Sequence, residues 1–118
     1  MTADRPVAEL KAQLFKALAH PVRIRALEQL VQGERSVGDL AERIQTEISH
    51  VSQQLAVLRR AGVVDTRREG NTIFYSVRDP RMSQLLATAR GLIVSNLQDS
   101  QNLLAFLEEE NEPQAASR

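Results

Sequence analysis

The sequence predicts a mainly α fold with a two-stranded β-hairpin, an α+β arrangement. Three observations carry that expectation. Apolar residues recur at three- and four-residue spacing before residue 62 and again beyond residue 80. Between these stretches, two β-prone runs flank Glu69-Gly70-Asn71. Two X-Pro pairs, His20-Pro21 and Asp79-Pro80, fall where helices should start. For a mass of 13.2 kDa, about 6,400 Å² should stay exposed on folding, against about 19,000 Å² unfolded. That supports one domain, expected over residues 1–110, with 111–118 as a disordered tail.

The elements follow in order. Leu10, Leu14 and Leu18, with Phe15 beside them, form one face of a first helix over about residues 6–18. Proline fits the first turn of a helix, where its missing N–H costs nothing, so a second helix starts at Pro21. Ile24, Leu27, Leu30 and Val31 give it an apolar stripe, and Gly33 ends it. Ser36 caps a third helix, with Asp39 near its positive end and Val37, Leu40, Ala41 and Ile44 on its inner side. A turn at Gln45-Thr46 leads to a fourth helix. There Ile48, Val51, Leu55 and Leu58 share the core face, and Gly62 closes it. The strands are expected over 63–68 and 72–77. Asp79 caps a last helix, Pro80 sits in its first turn, and Leu85, Ala89, Leu92, Leu97, Leu103 and Leu107 extend it towards residue 108. Helix, helix, helix-turn-helix, hairpin and long helix make the winged helix-turn-helix layout.

Composition removes several function classes. With no cysteine, the chain has no disulfide, thiolate metal site or cysteine nucleophile. No apolar run approaches a membrane span, and MTADRPVAELK lacks the basic-then-apolar layout of a signal peptide, so a soluble cytoplasmic protein without a membrane partner is expected. Fifteen basic and fifteen acidic residues cancel, yet unevenly: residues 20–78 carry +2, with nine arginines, and residues 99–118 carry −4. A local basic face on a neutral chain remains compatible with phosphate binding.

The fourth helix is the informative one. At 100° per residue, Ser49 and Gln53 point away from the core, flanked by His50, Ser52 and Gln54. An ordinary solvent face usually carries Glu and Lys, and none occurs between Ile48 and Leu58. Hydroxyls and amides suit base edges in a major groove; Gln in particular can pair with adenine N6 and N7. In the hairpin, Arg67 and Arg68 approach the turn and Asn71 lies in it, placed to reach phosphates or a narrow minor groove. Arg59 and Arg60 end the fourth helix, where they serve either DNA or the helix dipole. Arg23 and Arg25 sit in a first turn, against the dipole, which points to an outside anion such as a DNA phosphate.

With these residues in view, the chain resembles the ArsR/SmtB family of transcriptional regulators over about residues 8–108. The matching stretches are LFKALAHPVRIRALEQL (14–30), SVGDLAERI (36–44) and ISHVSQQLAVLRRAGVVDTRREGNTIFYSV (48–77), followed by the helix after Asp79-Pro80. The resemblance implies a homodimer built from the first and last helices, here through Leu10, Leu14, Leu92, Leu97, Leu103 and Leu104. It also implies a fourth helix that reads double-stranded operator DNA, usually as a repressor. By position, Ser49, Ser52 and Gln53 match the family's base-reading residues. The family often has His where Gln53-Gln54 stands, so a different operator is expected. An inverted repeat should place two recognition helices about 34 Å apart.

The sensing sites depart from the family. Where many members hold a metal or arsenic(III) with cysteines, this chain reads Glu34-Arg35-Ser36-Val37-Gly38-Asp39. The last helix has no His, and carboxylates alone are poor ligands for zinc or nickel. No metal ligand and no cofactor is therefore predicted. His20 reads as structural or near DNA; His50 reads as a DNA contact or a mild charge switch. The effector is left open, as a small molecule, a metal or a partner protein. The alternatives are a winged-helix protein–protein module and an enzyme. The polar fourth helix and the arginine-bearing hairpin argue against the first. Against the second, there is no nucleophile–base motif, no phosphate loop, and Ser49 and His50 diverge by 100°.

Overall fold

The computed structural model describes residues 4–111. Its elements, in chain order, are α1 (Asp4–Leu18), α2 (Pro21–Leu30), β1 (Arg35–Ser36), α3 (Val37–Arg43), α4 (Ile48–Arg60), β2 (Val64–Glu69), β3 (Thr72–Val77) and α5 (Met82–Asn111). The fold is the expected winged helix-turn-helix, with one correction. The wing is a three-stranded antiparallel sheet in the order β1-β3-β2, not a lone hairpin. Arg35 pairs with Tyr75 and Ser36 with Phe74, so the two residues before α3 cover the free edge of β3. A two-residue strand has too little periodicity to be read from sequence.

Local chemistry sets the boundaries. The Ser36 hydroxyl accepts from the Asp39 backbone N–H at 3.1 Å, capping α3. Helix α3 ends in a paired closure: Gln45 N–H donates to the Glu42 carbonyl and Thr46 N–H to the Ala41 carbonyl. Gln45 supplies the left-handed residue, at φ 52°. This closure is the turn of the helix-turn-helix. Helix α4 ends the same way, Gly62 N–H donating to Arg59 and Val63 N–H to Leu58. Gly62 sits at φ 77°, and a Cβ there would lie 2.9 Å from Arg78 Nη1. The hairpin loop is Gly70-Asn71, between the Glu69–Thr72 pair, with Gly70 at φ 63°.

The core lies under the helix-turn-helix. Leu27, Leu40, Val51, Leu55, Leu58 and Val64 are fully buried, joined by Ala26, Leu30, Ile44, Val63 and Tyr75. These residues come from α2, α3, α4 and the wing, so one apolar cluster fixes α4 and the sheet on the same body. Ile48 departs from the expected core face and is 52% exposed, because it opens α4 at the edge of the cluster. Helix α5 starts at Met82, two residues past Pro80: Asp79-Pro80 forms a turn, with Met82 N–H donating to the Asp79 carbonyl.

The chain groups into two compact units, one ending at Ser83 and the other starting at Gln84. In the second unit, α5 runs for 30 residues, about 45 Å at 1.5 Å each, and residues 87–110 are exposed. The helix continues through Asn111, the residue at which the tail was expected to begin; 112–118 lie outside the described residues. No helix among the described residues is long and apolar enough to cross a membrane.

Candidate nucleic-acid interface

Burial of Val51, Leu55 and Leu58 fixes the rotation of α4. Ser49, Ser52 and Gln53 are left exposed, and His50 and Gln54 half-buried at the flanks. Ser49, Ser52 and Gln53 make no side-chain hydrogen bond among the described residues, so their donors and acceptors remain open to an outside partner. The face expected to read base edges is therefore presented as one surface. It carries no formal charge until Arg59 and Arg60, both exposed in the last turn.

The wing is different. Arg67 is committed within the chain. Its Nε donates to Glu34 Oε1 and Oε2 at 3.0 and 2.9 Å, Nη2 to Glu34 Oε1 at 2.7 Å, and Nη1 to Glu69 Oε2 at 2.7 Å. Its guanidinium carbon lies 4.6 Å from the Phe74 ring centroid, across the β2–β3 ladder. The hydrogen bond from Arg67 holds the Glu34 carboxyl below the usual range, and Glu34 and Glu69 raise the Arg67 pKa further. A phosphate contact by Arg67 would have to compete with these two carboxylates. Glu34 is 33 residues away in sequence, and only the loop before β1 brings it alongside. Arg68 pairs in register with Ile73, is exposed, and makes no ion pair among the described residues. Asn71 is exposed at the hairpin tip.

The arginines of α2 also have partners within the chain. Their position against the helix dipole suggested an outside anion, but their acceptors lie within the chain. Arg23 Nε donates to Gln54 Oε1 at 2.8 Å, and its Nη1 donates to the Ala17 and Lys16 carbonyls at 3.0 and 3.4 Å. Arg25 Nη2 donates to the Ile44 carbonyl at the end of α3. Both cations sit on carbonyls at helix C-termini, where the helix dipole favours positive charge.

His20 caps α2, its Nδ1 accepting from the Val22 N–H at 3.1 Å, in line with a structural role. Its ring lies 5.8 Å from that of His50, centroid to centroid. The pair makes a poor metal site. A metal on His20 Nε2 would require a proton on Nδ1, which the cap uses as an acceptor. Among the described residues, no three His, Cys, Asp or Glu come together as a group able to hold a metal ion.

The six leucines expected at a dimer contact are exposed in the single chain: Leu10 63%, Leu14 37%, Leu92 64%, Leu97 60%, Leu103 60% and Leu104 58%. Val7 and Phe15 on α1, and Ile93, Val94, Phe106 and Leu107 on α5, are exposed as well. Such runs exceed what isolated surface residues need.

Known proteins with this arrangement are regulators. Residues 20–66 match the family model described as bacterial regulatory protein, arsR family. The chain is 53% identical over 97 residues to Rv0081 of Mycobacterium tuberculosis, an uncharacterized HTH-type transcriptional regulator, covering 81% of this chain and 85% of that protein. The crystal structure of Rv0081 superposes with a TM-score of 0.73 over 81% of this chain and 97% of that one, at 52% identity. The transcriptional repressor BigR from Xylella fastidiosa superposes at 0.69, with 39% identity over 78% of this chain and 95% of that one. The homodimeric winged helix-turn-helix DNA-binding domain of Mb0332 from Mycobacterium bovis does so at 0.70, with 29% identity over 80% and 87%. With the fold, the helix-turn-helix residues and relatives sharing half their sequence all in agreement, this chain belongs to the arsR family of bacterial regulatory proteins.

Proposed function

We propose that the chain is a sequence-specific DNA-binding transcriptional repressor that acts as a homodimer on an inverted-repeat operator. The observation that carries this reading is the outer face of α4. Ser49, Ser52 and Gln53 lie exposed and without intramolecular partners on the second helix of a helix-turn-helix, with no carboxylate among them. These groups read base edges in the major groove; Arg59, Arg60 and Arg68 contact phosphates, and Asn71 reaches the backbone from the wing tip. The exposed leucines of α1 and α5 form the dimer contact. Homodimeric Mb0332 and the repressor BigR support assembly and sign. With no cysteine in the chain, the signal it answers is not sensed by thiolates; a small molecule, a partner protein or a metal held by other ligands supplies it.

The test is fluorescence anisotropy of the purified chain on DNA from its own promoter, against a scrambled duplex of equal composition. The expected result is binding of one dimer per inverted repeat, at least about 10³-fold tighter than to the scrambled duplex. Affinity should fall linearly with salt on logarithmic axes. Equal affinity for both duplexes would contradict the proposal.

A further inference from the structure

Gln53 and Gln54 are adjacent amides on α4, the first on its outer face and the second on its flank. Arg23 separates them. It is half-buried in α2, 31 residues from Gln54, and donates Nε–H to Gln54 Oε1 at 2.8 Å. The same guanidinium donates to the Ala17 and Lys16 carbonyls at the end of α1, so its position is fixed by acceptors on two other helices. A guanidinium has only donors, so the amide atom facing it must be the carbonyl oxygen; the opposite flip would set N–H against N–H.

Reading adenine bidentately takes an amide acceptor and an amide donor together. Gln53 has both. Gln54 has its oxygen held towards Arg23, one of its two acceptor sites taken, and its NH₂ group is the free end of the amide. We propose that Arg23 is a positioning residue for operator recognition. It holds the Gln54 oxygen towards α2 and leaves the NH₂ group as the free end, so Gln54 contacts a base-edge acceptor (guanine O6 or N7, or thymine O4), while bidentate adenine reading is left to Gln53. The inference rests on α4 being the DNA-reading helix. Lysine in place of Arg23 would keep the charge but lose the fork that reaches α1 and Gln54 at once. The amide would then be able to turn over.

The test is a binding panel in which every base pair of one half-site is varied singly, at several salt concentrations. It uses the wild type, Arg23→Lys, Gln54→Glu and the Arg23→Lys/Gln54→Glu double variant. Gln54→Glu keeps the acceptor that Arg23 needs and replaces the donor with a second acceptor; its added negative charge weakens all sequences alike, so the base profile and not the absolute affinity is compared. Each single variant should lose about tenfold in preference at the same one base pair per half-site. The double variant should lose no more there, and Arg23→Lys should leave the salt slope unchanged. Arg23→Lys lowering the salt slope by about 0.9 with an unaltered base profile would make Arg23 an ordinary phosphate contact and overturn the proposal. An unaltered base profile for Gln54→Glu would overturn it independently, whether or not Arg23→Lys folds. A wild type without preference at any base pair would defeat the reading of α4 itself. Wild-type preferences that both single variants preserve would defeat only this inference.

Discussion

The recognition helix and the wing carry polar residues of similar promise, and the structure treats them in opposite ways. On α4, Ser49, Ser52 and Gln53 are exposed with no partner among the described residues. In the wing, Arg67 is held by two carboxylates and an aromatic ring. The same contrast divides adjacent residues: Gln54 is engaged and Gln53 is not, Arg67 is engaged and Arg68 is not. A residue type in the right motif position is thus only half of a binding argument. The other half is whether its donors and charge are already satisfied within the chain.

Substitutions can break this comparison or sharpen it. The largest effect should come from beneath α4. Leu55→Ala removes a fully buried side chain and should destabilise the fold by about 2–5 kcal/mol. Thermal unfolding would measure it, with operator binding lost in parallel. Gln53→Ala should leave thermal stability alone and cost about 1–3 kcal/mol of operator discrimination, read by competition between operator and single-base variants. Ser36→Ala removes the α3 cap and should cost about 1 kcal/mol of stability, measurable by urea denaturation with an unchanged m-value.

The wing prediction separates neighbours. Arg68→Ala should reduce the salt slope of binding by about one and weaken all sequences alike. Arg67→Ala should alter the slope less, because its charge is already offset by Glu34 and Glu69. The smallest effect is acid-dependent. The Arg67 hydrogen bond depresses the Glu34 pKa in the fold, so this ion pair contributes fully above the unfolded glutamate range, about 4.3, and is lost as pH falls through the folded value. Glu34→Gln should therefore flatten the acid limb of the stability curve slightly and leave stability near neutral pH little changed, the pair being exposed.

Much of this was legible in the sequence, because the elements are set by local chemistry. Pro21 at a helix start, Ser36 as a cap, Gly62 at a left-handed closure and Gly70 in a two-residue loop each act within a few residues of themselves. The face of α4 was legible because three buried aliphatics fix its rotation. What escaped is non-local. Arg67 meets Glu34 across 33 residues and Arg23 meets Gln54 across 31, and no periodicity encodes either pairing. The strand at Arg35–Ser36 is too short to show alternation and exists because β3 offers it an edge. Ile48 obeyed the helical period yet stayed exposed, since the first residue of a helix can share the inner face and still lie beyond the core.

On the proposed function, α4 reads sequence and the wing supplies charge. The most direct test of this is the affinity of the wild type, Gln53→Ala and Arg68→Ala for all single-base variants of one operator half-site. Gln53→Ala should flatten the profile at one base pair and leave the rest intact. Arg68→Ala should lower every affinity by a common factor. A profile reshaped by Arg68→Ala and merely scaled by Gln53→Ala would contradict it.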